Sequence, residues 1–221
     1  MAKASPKPKS ARKPAPAAKG RPPSASTAIL PAIRCTAKLR RPAAGEPGTD
    51  VGDWMFLILP EKASAELPSR GMVSIEGTIN GGPLLATLEP DGQGGHWLKI
   101  DRRLQLAAGA AAKLEPGKSV TLEFTALPPE REPEPDVPSD LQQALAAAAA
   151  KARQTWADIT PVARRDWIHW ITSGKLAQTR IKRIATACDM LAKGKRRPCC
   201  FDRSGMYSNS LTCPVAAPED R

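Results

Sequence analysis

The chain has 221 residues, 41% of them hydrophobic and 4% aromatic, with 33 basic against 22 acidic side chains for a formal charge of +11. That length leaves room for one or two domains with cores of their own. The longest apolar strings, "WMFLILP" and "LAAGAAA", are far too short to span a bilayer, and no apolar run follows the basic opening residues as a secretory signal would require.

Residues 1–27 consist mostly of Ala, Pro, Lys, Ser and Arg and carry seven basic side chains and no acid: Lys3, Lys7, Lys9, Arg12, Lys13, Lys19 and Arg21. Such a segment cannot bury enough apolar area to offset its ordering entropy and is expected to be disordered. Its spaced cations suit non-specific contact with nucleic acid, while a plain solubility tail has the same composition. From Ala28 to Leu127 the signals are those of strands, with twelve basic and fifteen acidic residues between positions 28 and 138. "AIRCTAKLRR" alternates Ile33, Cys35, Ala37 and Leu39 against polar residues, a half-buried strand. "DWMFLILP" is continuously apolar, as in a strand buried on both faces, and "EKASAELPSR" has room for one or two helical turns. "GMVSIEGTINGGPLLATLEP" alternates about Asn80-Gly81-Gly82, a hairpin turn tolerant of positive φ. "DGQGG" is a second turn, "HWLKI" a strand, "DRRLQLAAGAAAKL" a short helix, and "GKSVTLEFTAL" a last strand with Val120, Leu122 and Phe124 on one face. Short strands at this spacing predict a small closed or partly open β-barrel over 28–127.

Pro128 to Ser139 is rich in proline and acid and reads as an extended, semi-rigid linker. Beyond it the pattern is helical. Ser139 or Asp140 is placed to cap one long alanine-rich helix through "LQQALAAAAAKARQTWADI". Thr160-Pro161 supplies an N-cap and a first-turn proline for a second helix ending at Gly174. A third covers Ala177 to Lys193, with Ile181, Ile184, Cys188 and Leu191 as its apolar stripe. The fold class is therefore α+β: a disordered basic tail (1–27), a small β-barrel domain (28–127), a linker (128–139), a helical domain of about three helices (140–210), and a disordered end (211–221).

Two stretches are familiar. "MFLILPEKASAELPSRGMVSIEGTINGGPLLATLEPDGQGGHWLKIDRRL" resembles a small bacterial β-barrel domain of unassigned function. "WADITPVARRDWIHWITSGKLAQTRIKRIATACDMLAKGKRRP" resembles the YdeI/OmpD-associated, or bacteriocin-protection, family through its ordered Thr-Pro, Arg-Arg, Trp-Ile, Thr-Arg and Lys-Arg elements. The resemblance implies a two-domain bacterial protein tied to tolerance of bacteriocins or cationic peptides, and it brings no catalytic residues with it. The basic tail lies outside the shared pattern.

Reactive side chains are few. Cys199, Cys200 and Cys213, with His96 or His169, have the wrong spacing for a zinc knuckle, so no metal and no cofactor are expected. Cys35 and Cys188 sit on apolar faces and read as core thiols. Cys199 reads as packing inward. His169, between Trp167 and Trp170, is either a structural histidine or a general base, and no nucleophile elbow, phosphate loop or dinucleotide fingerprint accompanies it. The chain reads as a non-enzyme. The basic side chains from the second helix onward form a candidate ligand- or phosphate-binding surface: Arg164, Arg165, Lys175, Arg180, Arg183, Arg196 and Arg197. The alternative is a solvated basic face. "GKRRPCCFDRSGMYS" reads as an ordered extension that folds back through Phe201 and Tyr207, with Asp202 pairing Arg203 or Arg197; a ligand loop is the sharper alternative. Three functions stay open: a cytoplasmic, non-enzymatic binding protein with a protein or peptide partner, a nucleic-acid-associated protein, and an unrecognised enzyme.

Overall fold

A computed structural model describes residues 31–43, 54–174, 176–199, 201–206 and 211–218. The basic tail, Lys175, Cys200 and Tyr207 lie outside the described residues. Six antiparallel strands make the first unit: β1 (Ile33–Lys38), β2 (Met55–Ile58), β3 (Val73–Ile79), β4 (Gly82–Pro90), β5 (His96–Ile100) and β6 (Ser119–Ala126). Their order in the sheet is β1-β6-β3-β4-β5-β2. Beyond the end of β1, Arg40 and Phe56 exchange backbone hydrogen bonds of 2.8 and 2.9 Å, and this bridge brings the sheet's edges together into a nearly closed barrel. Inside lie Ile33, Leu57, Ile75, Leu88, Leu98 and Phe124, the period-two residues of their strands. Asn80 and Gly81 take φ of 48° and 81° between β3 and β4, the positive values that a two-residue hairpin demands. Gly77 is required for a different reason: a Cβ there would stand 2.0 Å from the Glu123 carbonyl oxygen of β6. Helix α1 (Glu61–Ala65) follows β2. Helix α2 (Arg102–Ala108) follows β5, capped by Asp101, whose carboxylate accepts from the Leu104 N–H at 2.8 Å.

Six α-helices occur among the described residues, and four of them follow the barrel, one more than the sequence pattern suggests. The alanine-rich run is two helices, α3 (Ser139–Ala147) and α4 (Ala150–Asp158), broken at Ala148 and Ala149 with ψ of 166° and 146°. Propensity alone favours continuity here. Packing wins instead: the break lets Leu141 and Leu145 of α3 and Ala152 of α4 enter one core with Trp167, Ile171, Ile184 and Leu191. Helix α5 (Pro161–Thr172) has its N-cap at Thr160, whose Oγ1 accepts from the Ala163 N–H at 3.3 Å. Helix α6 (Ala177–Ala192) ends at Gly194, φ 76°. Its buried stripe is Ile184, Ala187 and Leu191, with Cys188 packed against the same core, whereas Ile181 is 61% exposed.

Leu211 to Pro218 is not the disordered end that its composition suggests. The Ala43 N–H donates to Val215 O at 2.7 Å and the Ala217 N–H to Arg41 O at 2.9 Å. Ala216 and Cys213 pack on Phe56 and Trp97, on the outer face of β2 and β5. This cover explains why "DWMFLILP" is apolar without alternation: Met55 and Leu57 face the barrel core, and Phe56 faces the returning C-terminal strap.

Candidate functional site at the barrel–helix seam

Each described member of the predicted basic set has a partner within the chain. The Arg164 guanidinium donates to Glu134 at 2.6 Å and to the carbonyls of Trp156 and Ala157. Arg196 donates to Asp158 O at 2.6 Å. Together they satisfy the carbonyls that the end of α4 leaves without helical partners. Arg180 grips Asp140 with two hydrogen bonds, of 2.6 and 2.9 Å, and that grip holds the Asp140 carboxyl below its ordinary range. Arg183 lies over the Trp170 ring and donates to Trp170 O and Ser173 Oγ at the end of α5. Arg165 is buried. It donates to Ser74 Oγ at 2.8 Å, to Met72 O at 3.0 Å, and to Glu132, whose side chain is buried with it. Arg197 donates to Asp166.

Arg165 therefore joins three parts of the molecule: β3, the linker and α5. Ser74 also donates to Glu132 at 2.8 Å and meets Thr87 of β4 at 3.0 Å. The linker is stitched down along its length, by Arg131 to Glu76, Glu132 to Arg165, Glu134 to Arg164 and Asp136 to Arg103.

Asp166, next to Arg165 on α5, and His169, one turn on, meet the segment 197–203. Asp166 is 1% exposed, and its Oδ2 receives both Arg197 and, at 3.3 Å, Arg203; its Oδ1 is buried without a partner. Sequence reasoning missed Arg203 and Asp166 as a pair, because nothing local joins positions 37 apart. His169 lies 5.9 Å from the Phe201 ring, and burial pulls its pKa down to about 4. It is neutral at neutral pH, and its Nε2 is buried without a partner. Phe201 thus folds back as expected; Asp202 accepts from Ser204, and Arg197 reaches Asp166. Cys199 is exposed, not packed inward, because Pro198 carries the chain off the helical core. Burial pushes the Cys35 and Cys188 thiols up, consistent with unreactive packing residues.

Arg203 also touches the barrel: a Cβ at Gly71 would lie 3.2 Å from its carbonyl oxygen. Beside Gly71 opens a cleft of about 630 Å3 between the segment 59–70 and the 91–95 turn, walled by Glu61, Ser64, Ser69, Arg70, Asp91 and Gln93. Asp91 Oδ1 accepts from the N–H groups of Gln93 and Gly95 at 2.7 and 2.9 Å, so its carboxylate is fixed in place. The Arg70 guanidinium lies against Gly94, where a Cβ would stand 2.7 Å away. Behind the cleft, His96 is fully buried; its ring Nε2 donates to Gly71 O at 3.1 Å, and its backbone N–H donates to Ser64 Oγ at 3.1 Å. The Gly71 carbonyl fixes the Nε2–H tautomer of His96, and its Nδ1 is buried without a hydrogen-bond partner. On the outer face of β4, Glu89 stands in register with Trp97, and burial raises its carboxyl to about 7 despite Lys99 nearby.

Residues 134–194 match a family model described as Bacteriocin-protection, YdeI or OmpD-Associated, and residues 36–124 match one described as Domain of unknown function (DUF1905). No curated protein matches the chain. Among the described residues, no helix is long and apolar enough to cross a membrane.

Proposed function

The chain carries a YdeI/OmpD-associated domain behind a DUF1905 barrel, and from that premise we propose that it is a non-enzymatic cytoplasmic binding protein whose ligand sits in the cleft beside the barrel–helix seam and whose role is tolerance of bacteriocins or related stress. The observation that carries the reading is the cleft itself. Its volume is that of a small-molecule or side-chain pocket, and it holds one fixed carboxylate, Asp91, and one guanidinium, Arg70. Ser64, Ser69 and Gln93 add neutral hydrogen-bonding groups beside those charges, a lining suited to a polar ligand.

The test is survival. A bacteriocin-sensitive host expressing the wild-type chain should need a higher dose of a cationic bacteriocin for killing than the same host with an empty vector. The Arg70→Ala/Asp91→Ala variant should lose that advantage while remaining folded. Equal survival of wild type and vector would sink the reading.

A second reading rests on the charge of residues 1–27. Seven cations without an acid suit non-specific nucleic-acid contact, whereas the described arginines of the helical part are engaged within the molecule.

A further inference from the structure

The chain continues past the matched family region, which ends at residue 194. The stretch that follows, "KRRPCCFDRSGM", carries four cations and one acid. Three of its side chains lie on α5. Arg197 and Arg203 reach the same carboxylate, Asp166, and Phe201 lies against His169. The neighbouring Arg165 is matched mainly by Glu132, and Asp166 is the acid on this face to which both arginines of the segment turn.

The occupation is imperfect. Both arginines converge on Oδ2, and Oδ1 stays buried without a hydrogen bond. A carboxylate that met a guanidinium as a fork would use both oxygens, and a buried acceptor left unsatisfied costs roughly 1–3 kcal/mol. Arg197 and Arg203 are also 43% and 45% exposed, so much of each side chain faces solvent. The segment holds its place because it is tethered, which supplies an effective concentration of about a millimolar without a strong contact.

We propose that the Asp166–His169 face of α5 is a docking site for an extended cationic peptide bearing an aromatic residue between two arginines, and that Arg197–Arg203 fills it as an internal mimic of that partner. The incoming arginine takes both oxygens of Asp166, the aromatic residue replaces Phe201 over the neutral His169 ring, and the peptide backbone follows the path of Arg203 past Gly71 toward the cleft. The proposal rests on the binding-protein reading and gives its partner a chemistry.

The experiment uses the full chain and a fluorescein-labelled synthetic peptide copying Lys195–Met206, with serine for both cysteines. By anisotropy, the wild type should bind it weakly, because the tethered copy competes. Arg197→Ala/Arg203→Ala should bind it at least tenfold more tightly, and adding Asp166→Asn should remove that gain. A folded double variant, with unchanged circular dichroism and melting, that binds no better than wild type would overturn the proposal. Should the double variant not fold, amide exchange on the wild type decides. Faster exchange over 197–206 in millimolar peptide supports displacement, and an unchanged rate refutes it. Introducing Arg70→Ala/Asp91→Ala into the double variant separates the two sites: retained peptide binding with lost tolerance condemns the docking site as the source of tolerance, and lost peptide binding condemns a face independent of the cleft.

Discussion

Arg165 is the residue on which barrel, linker and helices converge. Removing it leaves Glu132 buried without its counter-charge, and the loss of one partner of such a pair typically costs about 3–5 kcal/mol. Arg165→Met should therefore lower the urea-unfolding free energy by about that amount, and Arg165→Met/Glu132→Met should recover most of it. A single-variant loss below ~1 kcal/mol would show that the pair is not the clasp described here. Two other residues set opposite pH slopes. His169 is held near 4 in the folded chain against an ordinary value of 6.5, so the folded state resists the proton and stability falls as pH drops from about 6.5 toward 4. Glu89 is raised to about 7 from 4.5, so the folded state favours the proton and stability falls as pH rises from about 4.5 toward 7. Between these limits the two slopes oppose each other. Glu89→Gln should expose a loss of stability in acid, on the order of 3 kcal/mol for a shift of this size, and His169→Phe should expose the reverse. Denaturation midpoints at pH 4.5, 5.5 and 6.5 measure both, and parallel profiles for the two variants would refute the assignment.

Elements differ in how plainly they could be read in advance. Strand alternation located β1, β3 and β6 because one face of each lies in a closed core, and that geometry imposes period two. Thr160-Pro161 and Gly194 marked the start of α5 and the end of α6 because capping is local chemistry. The break between α3 and α4 was illegible, since every residue from Ala144 to Ala150 except Leu145 is alanine and the cause lies in packing against α6. The strap was illegible for a related reason: "LTCPVAAP" has no periodicity, and its order comes from two backbone hydrogen bonds and the Phe56–Trp97 surface. The seam hid best of all, because Arg165 and Ser74 stand 91 positions apart. Glycine gives a test at this scale. Gly77→Ala forces a Cβ into the β6 backbone, and should lower Tm by well over 10 °C, taking roughly 4–8 °C per kcal/mol for a domain of this size. Gly82→Ala, whose Cβ would meet the Ala108 carbonyl at 2.2 Å, should act similarly on the hairpin's contact with α2. Wild-type melting of either variant would mean that the strands separate at no cost.

At the scale of the whole molecule, charge and architecture part company. The net +11 suggests a basic surface over the helices, yet Arg164, Arg165, Arg180, Arg183, Arg196 and Arg197 all have partners within the chain. Nucleic-acid affinity should then reside in residues 1–27. Seven phosphate contacts predict a slope of log K against log salt of about −6 for residues 1–221 on duplex DNA, and a slope near zero for residues 28–221. An equally steep slope in the shorter chain would return the helical face to consideration.

The strap has a further consequence for how the protein comes into being. β6 completes the barrel at Ala126, but the residues that cover Phe56 and Trp97 are Cys213 and Ala216. A ribosome making this chain therefore exposes a barrel whose outer aromatic patch stays bare until Cys213 and Ala216 have been made. A message cut short before residue 213 yields a product with its inner core intact and a sticky flank, the kind of surface that quality-control factors recognise. The strap thus acts as a late seal: only a chain translated past Ala216 can hide its own aromatic side.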